Sequence, residues 1–165
     1  MIKRIFNVCV PMFLFASFCS AGVMCDISTI SDDGQGNVII GIGYTSDTAI
    51  SGLEIDLLHD SVLTVTGGSG GAAADAGFAI STNSAGKIIA FSFSGAQIPV
   101  TTESAILVEM TATYDTGIAG SSVILEAIEE DTDGDGSMDL RLLFSDGSGV
   151  QIDADFHEAS WTVGT

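Results

Sequence analysis

Short runs in which apolar residues alternate with polar or small ones, each closed by a glycine-bearing turn, recur from Asn37 to Val163. "NVIIGIGYT" (37–45) puts Val38, Ile40, Ile42 and Tyr44 on one parity. "GLEIDLLH" (52–59) puts Leu53, Ile55 and Leu57 on one side and Glu54 and Asp56 on the other. Period two is the mark of a half-buried strand, because successive side chains leave opposite faces of the pleat. "VLTVT" (62–66) follows a turn at Asp60–Ser61. "FAIST" (78–82), "KIIAFSFSG" (87–95), "SAILVEMTATY" (104–114), "SSVILEAIEE" (121–130), "LRLLF" (140–144), "VQIDADF" (150–156) and "SWTV" (160–163) continue the series. In "SAILVEMTATY" the inward set reads Ile106, Val108, Met110, Ala112 and Tyr114. No stretch holds a 3.6-residue period over three turns. "GGSGGAAADAG" (67–77) reads as a flexible glycine loop in which "AAADA" makes one helical turn.

Parallel pairing needs helical crossovers, and none is legible, so the pairing is expected to be mostly antiparallel. About nine to ten short strands at this spacing predict an all-β fold, an antiparallel β-sandwich with two sheets about 10 Å apart. Phe78, Phe91, Phe93, Phe144, Phe156 and Trp161 are expected to supply most of its core.

The first 25 residues stand apart. Lys3 and Arg4 precede an apolar run from Ile5 to Phe18, and small residues follow at Ser20, Ala21 and Gly22. This is the layout of a secretory signal peptide, and the run is short for a membrane span. Residues 1–25 are therefore assigned to the leader and 26–165 to one domain, with cleavage after Ala21, Gly22 or Cys25 all compatible. The expected location is outside the cell or at its surface, with no membrane insertion of the mature domain.

Beyond the leader, 22 acidic residues face only Lys87 and Arg141, a net charge of −20. Such a surface repels nucleic acid and anionic headgroups and attracts divalent cations. Cys9 and Cys19 fall in the leader and Cys25 at its edge, so no internal disulfide is expected. A domain of this size folds without one if its core is large or a metal clamps its loops.

The run from Gly52 to Val65, with a strand, an Asp-containing turn and "VL" opening the next strand, resembles the early strand pair of cohesin domains. "GFAIST" and "GKIIAFSFSGAQIP" (77–99), "ILVEMTATY" (106–114) and, more weakly, "WTVG" (161–164) are similar to later cohesin strands. The resemblance spans about residues 36–130. It implies a jelly-roll β-sandwich related to cohesins and carbohydrate-binding modules. It also implies that a dockerin-like partner would be recognised through one sheet face, although no short motif carries that face over to particular residues. Ser61 stands where the usual pattern has Pro after the turn aspartate.

"DTDGDGSMD" (131–139) is the strongest candidate for a ligand site. Asp131, Asp133 and Asp135 take positions 1, 3 and 5 of a calcium loop, Gly136 position 6, the Ser137 carbonyl position 7 and Asp139 position 9. Leu142 stands at position 12, so the closing acid of an EF-hand is missing. The segment resembles the DxDxDG loops of thrombospondin type 3 repeats. Clustered carboxylates with no nearby base repel one another, and a cation relieves this. The expected role is a structural calcium clamp on a hairpin; an ion-free acidic turn is the alternative.

Nothing in the sequence points to catalysis. The glycine loop lacks the Lys-Ser or Lys-Thr of a phosphate-binding loop. The aspartate loop has Asp135 where a phosphatase nucleophile loop carries Thr or Val. His59 and His157 have no Ser or Cys nucleophile motif beside them. The expected function is that of a binding or scaffold module for an extracellular protein, with a polysaccharide ligand or a structural fragment of a larger surface protein as alternatives. One Trp and two Tyr are few for a sugar-stacking row.

Overall fold

The computed structural model describes residues 22–59, 62–130, 134 and 139–164, without the side chains of Leu58, His59, Glu130 and Asp139. The expected turn at Asp60–Ser61, the leader to Ala21 and most of the aspartate loop lie outside the described residues.

Two sheets enclose one core. The first runs in the order β13-β1-β2-β7-β4, with β1 at Val23–Asp32, β2 at Asn37–Ser46, β4 at Leu63–Ser69, β7 at Thr101–Tyr114 and β13 at Ala154–His157. The second runs β12-β11-β3-β6-β5, with β3 at Gly52–His59, β5 at Ala79–Thr82, β6 at Lys87–Phe91, β11 at Leu142–Ser145 and β12 at Gln151–Ile152. β8 (Ser122–Ala127) continues this sheet from the far half of β3 and carries β14 (Ala159–Thr162) on its other edge. A separate ladder joins β9 (Glu129–Glu130) to β10 (Asp139–Leu140). The helical turn expected in "AAADA" is α1, Gly71–Asp75.

Among the described residues there are fourteen strand segments, against the nine or ten expected. One addition is β1, which was not among the expected runs; the rest come from breaks inside single expected runs, with Ile128 between β8 and β9, Arg141 between β10 and β11, and Asp153 between β12 and β13. Gly67, Gly68 and Ser69, expected in a loop, extend β4. Among the described residues every ladder but β1–β13 is antiparallel. Those two strands come from opposite ends of the chain, so their parallel pairing needs no helical crossover; the whole domain is the connection.

Three hairpins are closed by the same chemistry. Asp33 Oδ1 accepts the Gln35 and Asn37 amides at 2.7 and 3.0 Å. Asn83 Oδ1 accepts those of Ala85 and Lys87, both at 3.0 Å. Asp146 Oδ1 accepts those of Ser148 and Val150 at 2.8 and 2.9 Å. In each, the residue three on is a glycine at positive φ: Gly36 at 98°, Gly86 at 92° and Gly149 at 77°. A short carboxylate or amide mimics a backbone acceptor there, and glycine takes the left-handed conformation without Cβ strain.

The inward parity of β2 and β3 follows the alternation: Val38, Ile40, Ile42 and Tyr44, then Leu53, Ile55 and Leu57, are all buried. Two expectations fail. In β7, Ile42 pairs with Val108 but Gly43 pairs with Ile106, so Leu107 is an extra residue. This β-bulge turns Leu107 into the core beside Val108 and leaves Ile106 half-buried. In β6, Ile88 and Ala90 face the core, opposite Ile55 and Leu53, which turns Ile89 and Phe91 outward. Phe93, just beyond, is 86% exposed. Phe78 and Phe144 are core residues as expected, and Phe156 and Trp161 pack at its margin, but Phe91 and Phe93 are not core residues. Apart from Lys87, which shares the parity of Ile89 and Phe91, both parities of "KIIAF" are apolar, so alternation chooses between them only weakly.

Candidate docking face

The corrected parity of β6 assembles a face. On the outside of the second sheet, Leu143 of β11, Glu54 of β3, Ile89 of β6 and Ser81 of β5 stand side by side. Two residues along each strand, Ser145, Gly52, Phe91 and Ala79 form the next row. Gly52 presents no side chain at the centre of that row, and a Cβ there would sit 3.1 Å from Ser145 Oγ. A shallow depression of about 240 Å³ results, walled by Leu143, Ile89 and Phe91. Phe93 meets Phe91 edge to face, with ring centroids 4.8 Å apart at 71°. Leu143, Ile89 and Phe91 are 51%, 37% and 41% exposed, so the row is available to a partner.

A charge cluster flanks the apolar rows. Asp56, Lys87 and Arg141 lie one step further along their strands, and Asp56 is buried. The Lys87 ammonium donates to Glu54 Oε1 and lies 3.1 Å from Asp56 Oδ2, while Arg141 Nη2 lies 3.4 Å from the same oxygen. The bonds to Glu54 and then Asp56 hold the Lys87 ammonium above the usual lysine range. Lys87 and Arg141 are the only basic residues beyond the leader. Both converge on one carboxylate of this face, so a burial that would otherwise cost several kcal/mol is offset by paired charge.

Asp56 also marks a branch in the sheet. β3 pairs with β11 up to Ile55 and with β8 from Leu57. Between them the Ile128 amide donates to Asp56 O, the Asp56 amide to Arg141 O and the Arg141 amide to Ile128 O, at 2.9, 3.1 and 2.7 Å. This triangle closes the base of the β9–β10 ladder, whose last described pair is Glu130–Asp139. Of the expected calcium ligands, Asp131, Asp133, Asp135 and Ser137 lie outside the described residues, and Asp139 is described only through its place in β10. Gly134 within the loop has φ 78°.

His157 and the aromatic set divide as follows, the His59 side chain lying outside the described residues. His157 is exposed on β13, in register with Asp26 of β1. Tyr44 and Tyr114 are buried and Trp161 packs against the core, so none of the chain's Trp or Tyr residues joins an exposed stacking row. Sequence reasoning missed the face because it placed Phe91 and Phe93 inside. The available signal was "FSFSG", phenylalanines alternating with serines, where a core strand would set bulky apolar residues against a charged outer parity.

No protein-family model matches the chain, and no curated protein matches it in sequence. Solved structures do. The sixth cohesin of scaffoldin B from Acetivibrio cellulolyticus, solved with a mutant Cel5 dockerin, superposes with a TM-score of 0.62 at 16% identity, over 86% of this chain and 99% of that one. The third ScaB cohesin of R. flavefaciens, in complex with a group 1 dockerin, gives 0.62 at 15% identity, over 89% and 98%. A non-cellulosomal cohesin from the hyperthermophilic archaeon Archaeoglobus fulgidus gives 0.59 at 10% identity, over 87% and 91%. The fold is thus the cohesin-like jelly-roll sandwich that the strand pattern resembled.

Proposed function

We infer that this cohesin-fold domain is a non-catalytic module that docks a partner protein through the outer face of β11, β3, β6 and β5. One observation carries the reading: Ile89, Phe91, Phe93 and Leu143 form an exposed apolar row beside the cluster that engages both basic residues beyond the leader. An apolar patch rimmed by polar groups is how a soluble domain presents a binding surface. Dockerin complexes among the structural neighbours support a protein partner. A polysaccharide ligand has no comparable support, since the Trp and Tyr side chains are packed away.

The domain acts outside the cell after removal of its leader. Cleavage falls after Ala21 or Gly22, because the Val23 amide donates to Asp153 O at 2.8 Å and Cys25 is fully buried. Calcium at Asp131, Asp133, Asp135, Ser137 and Asp139 clamps the β9–β10 hairpin; ligand spacing supports this site.

Calorimetry with purified dockerin modules and with soluble polysaccharides, on wild type and a Phe91→Ser/Leu143→Ser double variant, tests the reading. Dockerin binding that the double variant loses is the expected result. Polysaccharide binding, or dockerin binding unaffected by the double substitution, overturns it.

A further inference from the structure

We propose that a cavity at one mouth of the sandwich, lined by none of the docking-face residues, receives a lysine or arginine side chain carried by another protein. The cavity holds about 550 Å³ and opens where two strands leave their sheets. At Ile128 the chain passes from β8 to β9, which joins β10 in a ladder separate from both sheets. At Glu158 it passes from β13, on β1 of the first sheet, to β14, on β8 of the second. The floor between them is apolar, made by Phe156, Ala127 and Leu140. Phe156 is in register with buried Cys25 and Ala127 with buried Leu57, so this floor is continuous with the core.

The walls carry Glu126, Glu129 and Glu158, with no base among the described lining. Ala159 pairs with Leu125, so Glu158 and Glu126 are the next residues beyond that pair on the two strands. Among the described residues none of the three carboxylates has an ion-pair or hydrogen-bond partner. Their mutual repulsion favours a cation in the cavity. No group of three acidic, histidine or cysteine side chains among the described residues converges tightly enough to hold one metal ion. Spread carboxylates around an apolar floor suit an elongated cation instead: its methylene stem lies on Phe156 and Leu140 while its charged head reaches the glutamates. A second copy of this chain does not supply it, because Lys87 and Arg141, its basic residues beyond the leader, are both ion-paired with Asp56. That the donor is a protein rests on the module reading above; the chemistry of the cavity does not.

The test is a titration of the isotope-labelled mature domain, in calcium-containing buffer, followed by amide NMR spectra. The probes are a capped Lys-Ala-Lys peptide, its norleucine counterpart, which keeps the stem and drops the charge, and the free diamine cadaverine. The variants are Glu126→Gln/Glu158→Gln, which keeps side-chain shape, and Glu129→Gln, at an exposed position that folding tolerates. The expected result is saturable shifts from the lysine peptide at Ala127, Ile128, Leu140 and Phe156, and none from the norleucine peptide. Affinity should fall roughly fivefold or more in the double variant and by a smaller factor in Glu129→Gln. Shifts scattered over the acidic surface, a response unchanged in both variants, or equal binding of the norleucine peptide overturn the cavity assignment. Cadaverine binding as tightly as the lysine peptide overturns the protein donor. These readouts do not involve Phe91 or Leu143, so failure here is distinct from failure of the docking face.

Discussion

The Tyr114 hydroxyl donates to Asp32 Oδ1 at 2.6 Å, tying the end of β7 to the end of β1. The same carboxylate accepts the Gly34 amide on Oδ1 and the Gly164 amide on Oδ2, both at 2.8 Å. One side chain thus gathers a hairpin turn, a core tyrosine and the last described turn of the chain. Partial burial works against the Asp32 charge, but the bonds from Tyr114, Gly164 and Gly34 outweigh it and hold the carboxyl below its usual value of 3.8.

A carboxyl with a lowered folded pKa adds stability above its unfolded pKa and loses it as pH falls through the folded value. The Asp32 contribution is therefore complete above about pH 5 and fades below about pH 4. Asp32→Asn should lower stability at pH 7 by on the order of 1–2 kcal/mol. Urea melts at pH 7 and pH 3 check this: the difference between wild type and variant narrows at the lower pH. An equal difference at both pH values contradicts the assignment.

Phe144 and Phe93 should behave as opposites. Phe144 is fully buried, and Phe144→Ala should cost about 3–5 kcal/mol through lost burial and the cavity left behind. Phe93→Ser should change stability by less than about 0.5 kcal/mol. Thermal melts of the two variants check the placement of Phe93; a comparable loss from both would return Phe93 to the core.

Gly71 opens α1 at φ 64°, and a Cβ there would lie 2.5 Å from Leu107 O and 2.8 Å from Ile106 O. The obstacle is backbone at the β7 bulge, which cannot swing aside. Gly71→Ala should destabilise by roughly 2 kcal/mol or more, combining left-handed strain with the collision. Gly77→Ala shares the positive φ, at 74°, with open space around it, so its loss should be distinctly smaller. Denaturant midpoints of the pair separate steric from conformational cost.

Burial, and then the charge of Asp26, push the Cys25 thiol up to about 12. Native protein should resist alkylation at pH 8 and react only on unfolding. Above about pH 9 the unfolded thiol ionises while the folded one does not, so this group reduces stability there. Intact mass of the exported protein checks the companion expectation that the mature chain retains Val23 and Cys25.

Calcium should raise the melting temperature by binding the native hairpin selectively, and Asp133→Ala and Asp135→Ala should each abolish the gain. The sequence Asp133-Gly134-Asp135-Gly136 also repeats the aspartate-to-glycine spacing of the turns at Asp33 and Asp146, where the aspartate carboxylate accepts backbone amides of its own turn. Melting indifferent to calcium and to chelator would assign Asp133 to a turn of that kind instead.

From Asn37 onward the period-two runs determined the strands, the antiparallel habit and the inward sides of β2 and β3, because there only one parity is consistently apolar; β1 was not read from the sequence. Turn chemistry at Asp33, Asn83 and Asp146 was written as locally as it acts, within five residues. The docking face was not. Apart from Lys87, "KIIAF" is apolar on both parities, and the pairing of Ile88 with Ile55 and of Ala90 with Leu53 turned Phe91 to solvent. The bulge at Leu107 and the parallel β1–β13 ladder depend likewise on neighbours more than 60 residues away. Local sequence encodes what a residue prefers; when both faces of a strand satisfy that preference, the choice passes to the register of its partners, and the register exists only in the folded chain.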